Sequence, residues 1–228
     1  MQFIKPKKQL EIIKQNVDAI IPEDEFIEKL ESSYEKNVPL RVKAGFDPTT
    51  SYLHLGHSLI LRKLKVFQEL GHQICFLIGD FTAKIGDPTG RDKTRPPLDE
   101  ETIGNNASTY KDQMFKILED KDVEILYNSK WFNGFDLSSL IQLTSLENVA
   151  RLLERDDFKK RYQTGEAITV TEFLYPMLQA YDSVIVKSDI EVGGTDQMFN
   201  ILLGRQIQKA FDMPQQIGVF VPILEGLD

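Results

Sequence analysis

The sequence predicts an α/β protein with a parallel sheet that carries helices on both faces. Strand-like segments at 40–46, 73–78 and 190–194 each end at turn residues or glycines, and helical patterns follow them along the chain. The nearly continuous apolar run at 73–78 is typical of a strand buried on both faces of a parallel sheet. Helices between the strands supply the crossovers that a parallel sheet needs.

The composition is that of an ordinary globular chain. Its 228 residues suffice for a sizeable core, and 41% are hydrophobic and 27% charged. The formal charge of −8 argues against a surface built mainly for nucleic acid, although it leaves room for a local basic patch. One cysteine permits no internal disulfide. With no signal peptide and no apolar run of transmembrane length, we expect a cytoplasmic protein without a membrane partner.

The stretch 46–57 predicts a strand, a turn and a helix start. Asp47-Pro48-Thr49 breaks the strand, and the helical pattern runs over 58–68, so His54 and His57 lie near the helix start. Free backbone N–H groups and the helix dipole at such a junction favour phosphates. Gly56 has no side chain, so a flat ring such as a purine can approach the backbone closely.

A metal site is the alternative for the two histidines, and the sequence argues against it. His72 and Cys75 are the only other histidine and cysteine in the chain. Zinc sites need three or four such ligands. We therefore expect no bound metal.

A second strand–turn junction follows 73–78. Gly86-Asp87-Pro88-Thr89-Gly90 places three turn-forming residues after Gly79 and before a polar loop at 91–100. At the carboxyl end of a strand, Asp87 either caps the turn or accepts from an ammonium group of a ligand. The sequence leaves both interpretations open.

The helix predicted over 173–182 has an unusual polar face. Tyr175, Gln179 and Asp182 follow the spacing i, i+4 and i+7, while Pro176 requires the first turn or a kink. The face is either solvated or lines a polar pocket. The apolar residues around it favour the pocket, since buried polar groups need partners.

The segment 190–197 repeats the strand–glycine–helix design. We expect Thr195 to cap the following helix over 198–211, and a last strand over 217–224. Asp196, beside Gly193 and Gly194, either belongs to a simple capped start or holds ribose hydroxyls.

Two further regions are predicted to be helical. Residues 1–39 form a charged segment with an apolar stripe that includes Ile20 and Ile21, and we expect it to pack on the main domain. Helices at 137–146 and 149–162 interrupt the β-α alternation. The charged run at 151–161 is either a solvated face or part of a subunit interface.

Taken together, these stretches resemble the bacterial tyrosyl-tRNA synthetases, which are class I aminoacyl-tRNA synthetases. His54-Leu55-Gly56-His57 is similar to the family's "HIGH" signature, and four further blocks follow in the family's order, at 86–90, 172–175, 179–182 and 193–197. The resemblance covers residues 41–228. It implies a Rossmann-like catalytic domain at 40–228 with a helical insertion at about 120–165, through which the family forms homodimers.

The resemblance also implies an activity. L-tyrosine and MgATP would give tyrosyl-adenylate and pyrophosphate, and the tyrosyl group would then pass to tRNA(Tyr). At the ATP end, Thr49 and His54 would face the β- and γ-phosphates. The ribose would lie against His57, Gly194 and Asp196, and the adenine over Gly56. The same end of the site would include Gly45 and Asp47.

The tyrosine would be held by a second group of residues. By family analogy Asp87, Tyr175 and Gln179 would bind the ammonium, and Gln197 would lie near the reacting carboxylate. Asp182 would accept from the phenol hydroxyl, so that phenylalanine would leave it unpaired. That effect is already known for this enzyme class, so its size is not a prediction here.

The sequence departs from the family in three places. Lys43 stands where some members have a tyrosine that shares the phenol contact, and Lys84 stands where the family has an apolar residue. The family's "KMSKS" loop, which would begin shortly after Asp228, is missing, as is the anticodon-binding domain. We therefore expect this chain to bind tyrosine but to activate it poorly.

Three rival functions follow from the same residues. A tryptophanyl-tRNA synthetase shares the fold, but the carboxylate of Asp182 suits a phenol hydroxyl. A nucleotidyltransferase with an H-x-G-H motif is usually shorter and lacks the 190–197 block. A non-catalytic ligand-binding fragment is the third.

Overall fold

The computed structural model describes residues 3–87 and 98–224, and it contains the predicted α/β fold. Six strands form one sheet in the order β1-β6-β5-β2-β3-β4. All neighbouring pairs are parallel except β1 and β6. The strands are β1 (Ala19–Ile21), β2 (Arg41–Phe46), β3 (Gln73–Ile78), β4 (Val123–Tyr127), β5 (Ile190–Gly194) and β6 (Ile217–Val221).

Helices flank this sheet. They are α1 (Pro6–Ile13), α2 (Glu23–Lys36), α3 (Leu55–Glu69), α4 (Glu100–Met114), α5 (Ser129–Phe132), α6 (Leu137–Thr144), α7 (Val149–Leu152), α8 (Asp156–Thr164), α9 (Val170–Val186) and α10 (Met198–Ala210). Two short 3-10 turns occupy Thr82–Lys84 and Thr195–Gln197. Within residues 3–87 and 98–224, every helix falls short of the length and apolar character that crossing a membrane requires.

The N-terminal segment is not helical throughout, which corrects the prediction for residues 1–39. Ala19–Ile21 form a strand whose Ile20 pairs with Val219 of β6. Helix α1 ends at Ile13, and Asn16 adopts a left-handed φ of 55°. The two β-branched isoleucines stand just before Pro22, and the residue before a proline is pushed out of the helical region. An antiparallel edge strand is therefore added to the otherwise parallel sheet.

The two faces of the sheet differ in chemistry, and this difference creates the site. Alternate side chains of a strand point to opposite faces. Val42, Ala44 and Phe46 belong to the main apolar cluster, which also includes residues of α1 to α4. The side chain of Lys43 instead contacts α9. The face toward α9 and α10 thus carries a charge and glycines where the opposite face carries core residues.

The insertion between β4 and α9 contains four short helices. The single helix predicted over 149–162 is instead α7 and α8, separated at residues 153–155. Arg155 is extended there, at φ −62° and ψ 132°, and its guanidinium is buried. The break allows this charge to point inward, where it forms ion pairs with Asp87 and Asp157.

The charged run at 151–161 is only partly a solvated face, which corrects the first of its two interpretations. Arg155 and Arg161 are each 5% exposed. Arg161 pairs with Glu172, which also accepts from the backbone N–H of Thr169 at the start of α9. This ion pair and this hydrogen bond therefore connect the insertion to the start of α9.

Several helix boundaries move, and two of the shifts affect the site. Helix α3 begins at Leu55 rather than 58, so that His57 lies within its first turn. Helix α9 begins at Val170, so Pro176 is its seventh residue and not part of the first turn. Strand β6 ends at Val221 instead of 224.

Candidate functional site

A cavity of about 570 Å³ lies at the carboxyl ends of β2 and β5. This is the edge where ligands bind in parallel α/β sheets, and the volume is typical of small-molecule sites. Every candidate site residue contributes to its wall: Gly45, Asp47, Thr49, His54, Gly56, His57, Asp87, Tyr175, Gln179, Asp182, Gly194, Asp196 and Gln197. Residues separated by up to about 150 positions in the sequence are thus brought to one cavity.

The two histidines meet at the start of α3. The backbone N–H of His54 donates to Nδ1 of His57 over 3.3 Å, and the two rings stack with centroids 3.7 Å apart. A Cβ atom on Gly56 would come within 3.1 Å of the His54 ring. The glycine therefore gives His54 room to lie across the helix start.

Burial, followed by the charge of His54, lowers the pKa of His57 to about 4. His57 is therefore neutral near pH 7 and serves as a hydrogen-bonding group. A phosphate brought beside it would favour the protonated form and raise its pKa.

The turn that carries Thr49 is held in place by α4. The Asn106 side chain donates to the carbonyl of Pro48 over 3.0 Å. Thr109 and Gln113 both donate to the carbonyl of Ser51, over 2.7 and 2.9 Å. Sequence analysis missed this support, because amide side chains on a surface-like helix carry no distinct signal.

The second glycine junction differs in detail from the prediction. Thr195 does not cap a helix: it begins the 3-10 turn Thr195–Gln197, and no side-chain cap bond is present there. Asp196 instead folds back over Gly194, where a Cβ atom would come within 2.3 Å of its Oδ1. The glycine therefore permits the carboxylate to lie at the mouth of the cavity.

Asp182 forms the floor of the cavity and is 2% exposed. Its Oδ1 accepts from the indole N–H of Trp131 over 2.9 Å, and its Oδ2 accepts from the side-chain amide of Asn128 over 3.3 Å. Burial raises the pKa of Asp182 to about 7, although Lys43 and these two donors oppose the shift. A ligand donor at this position would stabilise the ionised form.

Asp47 and Tyr175 form a second hydrogen-bonded pair, in which Tyr175 is buried and Asp47 is half-buried. The Tyr175 hydroxyl donates to Asp47 Oδ2 over 2.9 Å, and the Thr82 hydroxyl donates to Asp47 Oδ1 over 2.8 Å. Burial raises the pKa of Asp47 to about 7 and the pKa of Tyr175 well above its usual value. Asn128 donates to Thr82 as well as to Asp182, so one hydrogen-bonded chain connects both carboxylates.

Asp87, Arg155 and Gln197 connect the two ends of the cavity. Asp87 accepts from Arg155 over 3.3 Å and from the Gln197 side-chain amide over 2.9 Å. The same amide donates to Asp196 over 3.1 Å. Gln197 thus lies between the predicted ribose group and the predicted ammonium group. The rest of the turn, residues 88–90, lies outside the described part of the chain.

The two lysines that depart from the family pattern have clear positions. Lys43 is fully buried and pairs with Glu191 over 3.0 Å. Lys84 points away from the cavity wall, pairs with Glu100 over 2.5 Å and lies 5.6 Å from the centre of the Phe81 ring. In the described ranges 3–87 and 98–224, no group of three or more His, Cys, Asp or Glu side chains is arranged to hold a metal ion.

Comparison with known proteins gives a family. The model for "tRNA synthetases class I (W and Y)" matches residues 35–228. The tyrosine–tRNA ligase of Carboxydothermus hydrogenoformans is 51% identical over 222 residues, which are 97% of this chain and 54% of that protein. The ligase of Aromatoleum aromaticum is 54% identical, over 96% of this chain and 54% of that protein. The chain spans about half the length of the curated relatives it matches.

Solved structures share the fold. A C-terminally truncated mitochondrial tyrosyl-tRNA synthetase of Coccidioides posadasii superposes with a TM-score of 0.78 at 27% identity, covering 95% of this chain and 67% of that one. The synthetase of Archaeoglobus fulgidus, solved with L-tyrosine, gives a TM-score of 0.81 at 22% identity, covering 98% of this chain and 66% of that one.

Proposed function

The chain belongs to the class I tRNA synthetases of the tryptophan and tyrosine group, and from this premise we propose that it activates L-tyrosine with ATP. Tyrosyl-adenylate and pyrophosphate are the products, and the tyrosyl group then passes to tRNA(Tyr) in the cytoplasm. The names of the relatives, all tyrosine–tRNA ligases, support tyrosine over tryptophan.

One observation carries the choice of amino acid, and it is the buried carboxylate of Asp182 at the floor of the cavity. A carboxylate without a partner is costly to bury, and its two present donors leave acceptor capacity on both oxygens. The phenol hydroxyl of tyrosine is a donor of suitable reach. A phenyl ring would cover the carboxylate without satisfying it.

The amino group of tyrosine would lie among Asp87, Tyr175 and Gln179. Asp87 supplies a negative charge, and the oxygens of Tyr175 and Gln179 are acceptors beside it on one face of α9. Gln197 would lie against the amino acid carboxylate, from which position its amide also reaches Asp196.

ATP would lie at the opposite end, along the start of α3. Gly56 and Gly194 offer flat backbone surface to the adenine and ribose, and Asp196 and His57 lie beside the ribose. Thr49 and His54 face the β- and γ-phosphates at a helix N-terminus, and Gly45 and Asp47 complete this wall. Mg²⁺ arrives with ATP as part of the substrate.

The reaction then needs positioning and charge stabilisation rather than a protein nucleophile. A carboxylate oxygen of tyrosine attacks the α-phosphorus, and the bond from that phosphorus to the bridging oxygen of pyrophosphate breaks. Negative charge grows on the departing phosphates, where His54 and Thr49 donate hydrogen bonds. His57 orients the ribose in its neutral form.

We also propose that two copies of the chain associate through the insertion. Large apolar side chains are exposed on α6 and α7: Leu137 is 72%, Ile141 60% and Val149 58% exposed. Such a patch is typical of an interaction surface. We expect a dimer by sedimentation at micromolar concentration, and a monomer for Ile141→Asp. A wild-type monomer would contradict the proposal.

The proposed reaction is tested by ATP–pyrophosphate exchange with L-tyrosine, L-phenylalanine and L-tryptophan. We expect slow exchange with tyrosine and still less with the other two. Exchange that depends on tryptophan instead would assign the chain to the other amino acid of the family. No exchange with any of the three, in a protein that binds tyrosine, would support a binding function alone.

A further inference from the structure

Lys43 and Glu191 are two charged residues inside β2 and β5, whose other buried residues are apolar or glycine. Lys43 lies in the middle of β2 and Glu191 in β5, and their side chains are 0% and 3% exposed. Their charged atoms are 3.0 Å apart, and both residues line the cavity floor. Burying such a pair has a large desolvation cost, so an apolar pair would be expected if packing were its only role.

The ammonium of Lys43 is directed at the turn of α9 that carries Asp182. It donates to the Ser183 hydroxyl over 2.7 Å and to the Gln179 carbonyl over 3.4 Å. Ser183 follows Asp182 directly in the chain. Lys43 thus brings a positive charge to the residue that the proposed function assigns to the phenol hydroxyl.

Glu191 is fixed from behind, so the pair cannot simply rearrange when the cavity fills. Its carboxylate accepts from Gln216 over 2.5 Å and from Ser183 over 3.1 Å. Gln216 is buried and is itself held by the Ser188 hydroxyl over 2.5 Å. The anchored partner holds the Lys43 side chain in place.

The charges around Asp182 can be named from each neighbouring element. Lys43 from β2 attracts, Glu191 from β5 repels, and Asn128 and Trp131 after β4 are neutral donors. The attraction by Lys43 lowers the pKa of Asp182 more than the repulsion by Glu191 raises it. The pair therefore acts on Asp182 as a net positive group.

We propose that the charge of Lys43 favours the carboxylate form of Asp182 and thereby determines how strongly the pocket prefers tyrosine over phenylalanine near neutral pH. The inference rests on the proposed function, because it presumes that the phenol end of tyrosine meets Asp182. An ionised Asp182 covered by a phenyl ring gains no partner from the ligand and keeps only its donors Asn128 and Trp131, whereas a protonated Asp182 is a neutral group of lower desolvation cost. The preference should therefore rise with pH as Asp182 loses its proton.

The experiment measures dissociation constants for L-tyrosine and L-phenylalanine between pH 5.5 and 9, the second by competition against the first. The phenol of free tyrosine stays neutral over most of this range. In the wild-type protein we expect the ratio of the two constants to rise through a midpoint near neutral pH. In Lys43→Met the midpoint should move up by about one pH unit, because the opposite charge held at the neighbouring Ser183 has been removed.

Two variants separate charge from structure. Lys43→Arg keeps a positive charge and should keep the midpoint closer to that of the wild type than Lys43→Met does. Lys63→Met is the matched control: Lys63 is another buried lysine, but it donates to the carbonyls of Ile13 and Gln15, away from the cavity. It should leave the ratio and the midpoint unchanged. If Lys43→Met does not fold, a double variant that combines Lys43→Met with Glu191→Gln removes both charges of the pair. This double variant should still move the midpoint upward.

The outcomes distinguish the inference from the function on which it rests. A wild-type protein that prefers tyrosine, with a midpoint that Lys43→Met or the double variant leaves in place, overturns the role of Lys43 and leaves the proposed function standing. A folded wild-type protein that binds neither amino acid overturns both. A shift equal in Lys43→Met and Lys63→Met overturns the inference as well, because it marks a general effect of losing a buried lysine.

Discussion

The two ends of the cavity are built in different ways. At the proposed amino acid end, Asp182 and Tyr175 are buried and hold fixed hydrogen-bond partners. At the nucleotide end, His54 is exposed and Thr49 is half-exposed, on a turn whose backbone is held by α4. If the proposed function holds, recognition of the tyrosine ring relies on a pre-organised floor. Stabilisation of the phosphates would then rely on groups that gain partners when the ligand and its charge arrive.

The largest effect that this comparison predicts is on the chemical step. His54→Ala should lower the rate of ATP–pyrophosphate exchange by about 10²–10³-fold, because one donor to a developing negative charge is worth about 3–4 kcal/mol in the transition state. The dissociation constant of tyrosine should stay the same, since His54 lies at the other end. Parallel exchange and calorimetric measurements check both. A variant that weakens tyrosine binding as much as exchange would show that the ends are not independent.

A smaller effect is expected at the ammonium position. Tyr175→Phe removes a hydroxyl that donates to Asp47 and faces the proposed ammonium. A hydrogen bond to a charged group is worth about 1.5–3 kcal/mol, so tyrosine should bind about 10–150-fold more weakly. The matched ligand is 3-(4-hydroxyphenyl)propionate, which lacks the amino group. If the variant weakens both ligands equally, Tyr175 does not contact the ammonium.

The smallest predicted effect is on the pH dependence of stability. Burial raises the pKa of Asp182 to about 7 and lowers the pKa of His72 to about 4. The two groups therefore change the unfolding free energy with pH in opposite directions. Between pH 4 and 7, folded Asp182 binds a proton that the unfolded chain has released, so its contribution falls as pH rises. Folded His72 lacks a proton that the unfolded chain binds below about pH 6.5, so its contribution falls as pH drops.

Each group changes the unfolding free energy by up to about 1.4 kcal/mol per pH unit between about pH 4 and 7. Asp182→Asn should make the unfolding free energy rise more steeply with pH between 5 and 6, and His72→Gln should make it rise less. Urea denaturation at several pH values checks both changes. Changes of the same sign in the two variants would contradict the assigned protonation states.

Most of the parallel sheet was predictable from the sequence, because its strands are apolar runs that end in glycine or turn residues. β3 occupies the predicted range, and the polar face of α9 lines a cavity. β1 was not predictable by periodicity, since three residues at the sheet edge are too few for a pattern and are stabilised by pairing with β6. The buried state of Arg155 and Arg161 depends on ion pairs that the fold creates, with Asp87 at 68 positions' distance in the sequence and with Glu172 on the next helix.

Some residues that hold the site in place are recognisable from the sequence pattern. Lys43 and Glu191 are charges of opposite sign inside two apolar strands, and in a parallel sheet such residues can pair. Asn128 follows β4 at the carboxyl edge, where polar residues indicate a site, and it reaches both Asp182 and Thr82. Trp131, the one tryptophan of the chain, gave no signal of its contact with Asp182 before the fold was known.

The central claim is that Asp182 recognises the phenol hydroxyl of tyrosine, and calorimetric titration at neutral pH tests it most directly. L-tyrosine should bind with a stoichiometry of about one per chain, because Asp182 forms one cavity floor. L-phenylalanine should bind far more weakly, since it has no hydroxyl to donate to Asp182. Asp182→Asn should reduce the difference between the two ligands. Equal binding of tyrosine and phenylalanine by the folded wild-type protein, or a preference that Asp182→Asn leaves intact, would contradict the account.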